Sequence, residues 1–280
     1  MLNAFYDAVK AVDPGATVVT AGTAPDGDPR DGGGRMMPVR FWQSFFCLGV
    51  PPRLAPAACP DPARFDVLAY HPLSIADPRR PAAGLGVGIA DLGKLRRLFD
   101  AARRTGRIVP TGPERIWVTE LNWNSTPDRG AGGTPAQLLR WIPQALHMLW
   151  LQGVDLVTWQ LLRDPPDKPL HPAGLWSFDP AAPLDVGRDR AKPHLAAFRF
   201  PLTVQRMSRG RAQVWSLLPA AGPRTVVLER LRGGRWRRVA RLRVTRRGMV
   251  NAVVGVRGVA RLRLRLPRSA TTSLPARIGS

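Results

Sequence analysis

The chain has 280 residues, 44% of them apolar, which is enough for a substantial core; this excludes an intrinsically disordered protein and allows one or two domains. Its formal net charge of +22 is unevenly spread: residues 201–280 hold nineteen arginines against one acid, Glu229, and supply +18 of it, so the first two hundred residues are close to balanced. Arginine outnumbers lysine thirty-eight to four, a bias that a GC-rich coding sequence produces without any basic partner.

Leu2, Phe5, Tyr6 and Val9 recur at helical spacing and predict a helix over 2–10, ended by Asp13-Pro14-Gly15. Nothing in Met1-Leu2-Asn3-Ala4-Phe5 resembles a signal peptide, and no apolar run reaches the length of a membrane span; secretion is expected if a longer N-terminus exists. Thr17 to Thr20 is a short β-branched strand, and Gly22 to Gly34 a long Gly- and Asp-rich loop. Met36 to Leu48 reads as a second helix with Phe41, Phe45 and Leu48 on one side. Cys47 and Cys59 have no metal-ligand spacing; they are able to pair, but the run Phe45-Phe46-Cys47-Leu48 favours a buried free thiol.

Phe65 to Tyr70 is the next strand and runs directly into His71-Pro72. Asp91 is placed to cap a helix carrying Leu92, Leu95, Leu98 and Phe99, which Gly106 stops. The strand Ile116-Trp117-Val118-Thr119 follows and finishes in Glu120, with Asn122 and Trp123 just beyond. Thr134-Pro135-Ala136-Gln137 combines a threonine cap, a first-turn proline and a capping-box glutamine. Its helix carries Leu138, Leu139, Ile142, Leu146 and Leu149 and ends near Gly153. Leu156 to Gln160 is the fourth strand, and Lys192 to Phe200 the last helix. Strands separated by helices predict parallel pairing through right-handed crossovers, and no strand is followed by a glycine-rich nucleotide-binding loop.

After Pro201 the period changes. Arg211–Leu217, Thr225–Glu229, Trp236–Val244 and Arg261–Leu266 are short strands between Gly-rich turns. Alternation puts Leu262, Leu264 and Leu266 on one face and Arg261, Arg263 and Arg265 on the other, where a solvated sheet explains the arginines without a specific nucleic acid. The expected architecture is α/β over residues 1–202, followed by a small all-β sandwich over 203–280.

Several strands end in polar or aromatic residues at one edge: Tyr70-His71, Glu120 with Asn122 and Trp123, and Trp159-Gln160. In a β/α barrel such ends converge on one rim, where indoles stack on sugar rings and carboxylates and imidazoles handle protons. On these motifs, and on Gly174-Leu175-Trp176 with Lys192-Pro193 through Phe200-Pro201, the region from Leu2 to about Leu202 resembles the C-terminal half of clan A glycoside hydrolases, the retaining β/α-barrel glycosidases. The resemblance implies a partial (β/α)8 barrel, about strands five to eight. It implies Glu120 as the nucleophile closing strand seven, and Tyr70, His71, Asn122, Trp123 and Trp159 as substrate-binding residues. A carbohydrate substrate is implied, with no metal or organic cofactor. The tail resembles the β-domains appended to actinobacterial glycosidases, with Trp215 and Trp236 serving either a core or a polysaccharide surface.

A retaining enzyme needs a second carboxylate roughly 5–5.5 Å from the nucleophile. The family's Asn-Glu pair on strand four has no counterpart here: Glu114 lies before strand seven, Glu229 belongs to the tail, and Asp66 precedes its strand end. The sequence therefore predicts a chain that starts after strand four, from a misplaced start codon. As given, it would have open barrel edges able to self-associate, and its activity would be impaired. Carbohydrate binding without catalysis is the alternative function.

Overall fold

The computed structural model describes residues 1–28, 34–49, 53–74, 76–110, 112, 115–125, 132–166, 172–208, 210–219, 222 and 224–278. They form two compact units, the first built mainly from Met1–Asn124 and Met148–Leu162, the second from Gly133–His147 and Arg163–Ser280.

The first unit contains α1 (Leu2–Val12), α2 (Pro38–Phe45), β1 (Ala63–Arg64), β2 (Leu68–Tyr70), α3 (Gly93–Arg104), β3 (Ile108–Val109), β4 (Ile116–Leu121), the end of α4 (Pro135–Leu151) and β5 (Val154–Trp159). Strands β2, β4 and β5 make a parallel sheet in that order, with Tyr70 opposite Val118 and Leu121 opposite Trp159. The segment expected as a strand at 17–20 is reduced to a parallel bridge between Val19 and Val67. Val67 gives its carbonyl to the Thr20 N–H while Leu68 turns its own N–H to the Arg115 carbonyl, so this bridge and β4 flank β2 on opposite edges. The order follows the sequence, with no reversal among these strands.

Pro38 opens α2, where its missing N–H would have had no helical partner anyway. The expected face of this helix is rotated: Trp42 and Phe46 are fully buried, whereas Phe41 and Phe45 are half-buried, because the four-residue step from Trp42 to Phe46 meets Phe65 and Phe99. The rings of Phe46, Phe65 and Phe99 lie 6.2–6.4 Å apart. Burial of such a ring cluster removes several hundred Å² of apolar surface from water and anchors α2 and α3.

Two expectations from the sequence are corrected here. Asp91 does not cap α3: its carboxylate accepts from the Gly88 N–H at 2.6 Å and pairs with Lys94 at 2.6 Å, while the residue at the helix start is Leu92. Cys47 and Cys59 form a disulfide, their Cα atoms 5.7 Å apart, instead of leaving a buried free thiol. By contrast, Thr134 and Gln137 form the expected reciprocal cap, Thr134 N–H to Gln137 Oε1 at 2.8 Å and Gln137 N–H to Thr134 Oγ1 at 3.3 Å.

The second unit adds β6 (Trp176–Ser177), β7 (Arg190–Ala191), α5 (Pro193–Arg199), β8 (Leu202–Ser208), β9 (Arg211–Leu217), β10 (Thr225–Arg232), β11 (Arg235–Arg243), β12 (Met249–Gly255), β13 (Ala260–Arg265) and β14 (Ala276–Ile278). Two antiparallel sheets, ordered β12-β9-β8 and β11-β10-β13-β14, share a core that includes Val214, Val226, Leu228, Val250, Leu262 and Leu264. Trp215 is fully buried and stacks on His147 with ring centroids 4.9 Å apart. The polar face of β13 differs from the expected solvated one. Arg263 and Arg265 are half-buried and hold Glu229 at 2.8 and 2.7 Å, and the Arg263 guanidinium also lies 4.3 Å over the Trp236 ring. Burial raises the Glu229 pKa, but the hydrogen bonds from Arg265 and Arg263 outweigh it and hold the carboxyl below its ordinary value.

Candidate active site

The first unit brings the C-terminal ends of β2, β4 and β5 to one edge. Along β4 the ladder with β5 shifts register between Val118 and Leu121: Val118 faces Val157 and Leu121 faces Trp159, so Thr119 and Glu120 together oppose the single residue Thr158. This is a bulge, the device by which strands re-aim a side chain at their ends. It turns Leu121 into the core and leaves Thr119 and Glu120 both part-exposed at the edge.

Both residues meet His71, the first residue after β2. The Nε2 atom of His71 is 2.9 Å from Thr119 Oγ1, and its Nδ1 is 3.6 Å from Glu120 Oε2. The second distance is electrostatic reach, beyond hydrogen-bond length. A carboxylate facing Nδ1 favours the proton there, so Nε2 accepts from the Thr119 hydroxyl. Burial lowers the His71 pKa, and the Glu120 charge only partly opposes this, so the imidazole is neutral at neutral pH. The Glu120 side chain keeps 33% of its surface open to solvent.

Gly22 makes room for this imidazole. A Cβ at position 22 would fall 2.0 Å from His71 Nε2, so only a hydrogen fits there. The Thr23 carbonyl accepts the His71 N–H at 3.1 Å, and Thr23 Oγ1 accepts the Trp42 indole N–H at 2.9 Å, which ties the loop to the core. Sequence reasoning missed Gly22 and Thr119; the available signal was a glycine two residues beyond a β-branched run.

The remaining sequence candidates divide in two groups. Asn122 donates to Gln160 Oε1 at 2.9 Å, linking the ends of β4 and β5, and the Gln160–Leu161 peptide that follows is cis. Trp159 is 9% exposed beside this link. Tyr70 and Trp123, in contrast, are buried: the Tyr70 hydroxyl donates to the Val87 carbonyl at 2.9 Å, and the Trp123 indole donates to the Ala76 carbonyl at 2.9 Å. Burial, then the Asp91 and Asp26 charges, push the Tyr70 pKa well above its ordinary value. Trp123 packs on Trp159 at 6.1 Å between centroids, so it backs that indole rather than facing solvent.

The carboxylates considered as partners for Glu120 lie elsewhere. Asp66 precedes β2, accepts from the Val18 N–H at 2.7 Å and pairs with Lys10 at 2.9 Å. Glu229 belongs to the second unit, and Glu114 lies outside the described residues. Among the described residues no cluster of three or more histidine, cysteine, aspartate or glutamate side chains is arranged to hold a metal. A cavity of about 1280 Å³ lies on the loops that follow the Val19 bridge and β2, lined among others by Asp28, Arg40, Ser74, Ala76 and Arg80. Glu120, His71 and Trp159 are not among its lining residues; the cavity shares with them only the segment after His71.

No family model matches the chain, and no curated protein matches it. Solved structures to which it is similar include a family 39 glycoside hydrolase from Bacteroides cellulosilyticus WH2, at 16% identity and a TM-score of 0.38 over 69% of this chain and 43% of that one. An endo-β-1,4-mannanase from Thermotoga petrophila gives 11% and 0.32 over 99% and 59%, and a monomeric β-xylosidase from Caulobacter crescentus CB15 gives 13% and 0.38 over 97% and 61%. The chain thus spans between 43% and 61% of the length of these three structures.

Proposed function

We propose that this chain is a glycoside hydrolase-like protein in which Glu120 is the nucleophile of a retaining O-glycosyl hydrolysis. The observation that carries this is the bulge at the end of β4, which presents a part-exposed carboxylate beside a neutral histidine, at the same edge as Trp159 and the Asn122–Gln160 pair. In this reading β2, β4 and β5 are strands six to eight of a β/α barrel, the segment at 17–20 is strand five, and the two antiparallel sheets are an appended sandwich.

Glu120 attacks the anomeric carbon as the bond to the leaving oxygen breaks, which forms a glycosyl ester; water then cleaves the ester and restores the carboxylate. His71 keeps that carboxylate oriented without neutralising it, Trp159 meets the sugar face, and Asn122 reaches its hydroxyls through the Gln160 link. Tyr70 and Trp123 position the backbone and the Trp159 indole from behind. The leaving oxygen needs a proton from a second carboxyl group. A substrate with an already acidic leaving group needs none, so it isolates the Glu120 step.

The test uses dinitrophenyl 2-deoxy-2-fluoroglycosides of several sugars, whose ester with the nucleophile is slow to hydrolyse. Release of dinitrophenol with a stoichiometric mass adduct on the peptide carrying Glu120, lost in Glu120→Gln, supports the proposal. An adduct on another residue, or none with any sugar, overturns it. The positions of Asp66 and Glu229, both committed to ion pairs, favour one second reading, carbohydrate binding without turnover. Oligosaccharide affinity with no adduct would select it.

A further inference from the structure

The arginines of the second unit are not evenly spread over its surface. Arg230 and Arg232 of β10, Arg237 and Arg238 of β11, and Arg257 after β12 line one cavity of about 560 Å³, whose other walls are Gly210, Val239, Gly255 and Val256. Arg230 and Arg237 sit directly opposite each other across the β10–β11 ladder, a like-charge pair that such a ladder disfavours. Arg230 reaches the Val259 carbonyl at 3.1 Å, and among the described residues Arg232, Arg237, Arg238 and Arg257 form no ion pair. The single acid of residues 201–280, Glu229, is turned to Arg263 and Arg265. The acids at 164, 179, 185 and 189 are engaged by Lys192, Arg188 and Arg163. Five arginines line one concavity with no carboxylate among its described lining residues, which makes it an anion site in charge, and the planar guanidinium fork matches a carboxylate or sulfate.

The walls restrict the kind of anion. Among the described residues no aromatic side chain lines the cavity, so they offer unstacked bases no platform. Duplex DNA is met by an element entering a groove or by a long basic track. A cavity of this volume instead suits a ligand of roughly two sugar rings.

We propose that this cavity binds an acidic oligosaccharide, its carboxylate or sulfate groups held by Arg230, Arg232, Arg237 and Arg257. The anion in this assignment follows from the cavity itself, and the sugar rests on the glycoside hydrolase reading.

The test is calorimetric titration of the full chain, at physiological ionic strength, with short galacturonate and heparin oligosaccharides and with neutral mannan oligosaccharides. Galacturonate preference indicates carboxylate recognition, heparin preference sulfate. Acidic chains should bind and neutral ones should not. The double variant R237Q/R257Q should weaken binding about tenfold, and R237K/R257K, which keeps charge but loses the fork, by less. The control R241Q/R243Q removes the same charge outside the cavity and should change affinity by less than about twofold. A melting temperature at or above wild type is expected for R237Q/R257Q without ligand, because it relieves the Arg230–Arg237 repulsion. Equal losses in the cavity and control variants, equal binding of neutral oligosaccharides, or a DNA oligonucleotide that displaces the glycan and is itself lost in R237Q/R257Q would overturn the proposal. Repeating the titration on Glu120→Gln separates the two readings, since anion binding there should match wild type whatever happens to hydrolysis.

Discussion

At Glu120 the electrostatics are set by one neighbour whose protonation is itself set by burial. The 2.0 Å approach of a Cβ at position 22 to His71 makes Gly22 the residue most able to disturb that neighbour without touching Glu120. On the proposed reading of Glu120, Gly22→Ala is expected to displace the imidazole and lower the rate of dinitrophenyl glycoside cleavage by about ten- to a hundredfold, with circular dichroism unchanged. Histidine burial also dictates a pH response. Burial lowers the pKa of His71, His147 and His194 below the ordinary 6.5. Below that value the unfolded chain takes up protons that the native chain refuses, so stability is complete above about 6.5 and falls as pH drops beneath it. Urea midpoints measured between neutral pH and pH 5.5 should decline, and His194→Gln, which removes one of the two fully buried rings, should flatten the decline relative to its own neutral midpoint.

Elements with local signals were legible in the sequence, and those defined by a distant partner were not. The cap of α4 is a four-residue pattern, readable because Thr134 and Gln137 satisfy each other's backbone. Thr134→Ala is expected to cost about 1 kcal/mol in chemical denaturation. Strand β9 mostly alternates, and the sequence places it at Arg211–Leu217, as the structure does. Strands β8 and β12 were missed: Leu202–Ser208 follows α5 after only Phe200-Pro201, and Met249–Gly255 buries only Val250 and Val254 within the strand. In the site, Glu120, His71 and Trp159 were legible as strand-end residues, but the bulge was not, because it exists only relative to β5. Gly22 lay hidden for the same reason, since its contact with His71 spans 49 positions and depends on the Val19–Val67 pairing. Across β10 and β13 the arginine face read as solvated has a buried acid at its centre. Glu229→Gln leaves Arg263 and Arg265 half-buried without a counter-charge and is expected to destabilise the chain by about 3 kcal/mol, read from the shift in urea midpoint.

For the molecule as a whole, the division of charge legible in the sequence acquires a physical counterpart: the excess arginines concentrate on a strand-rich unit, whereas the first unit presents an unpaired edge. Among the described residues β5 pairs only with β4, and Leu156 on it is 39% exposed. An apolar edge strand is a template for pairing with another chain. Sedimentation velocity should show concentration-dependent association that persists in high salt, and Leu156→Lys should suppress it.

The bulge at the end of β4 couples function to chain length. A glutamate placed by plain alternation tolerates any change that preserves its type and neighbours. Glu120 instead relies on an extra residue, since Thr119 and Glu120 share one partner position. Loss of a single codon there would remove this bulge and move Glu120 into the position of Thr119. The site is thus exposed to frame-preserving deletions that ordinary substitution scanning would never sample.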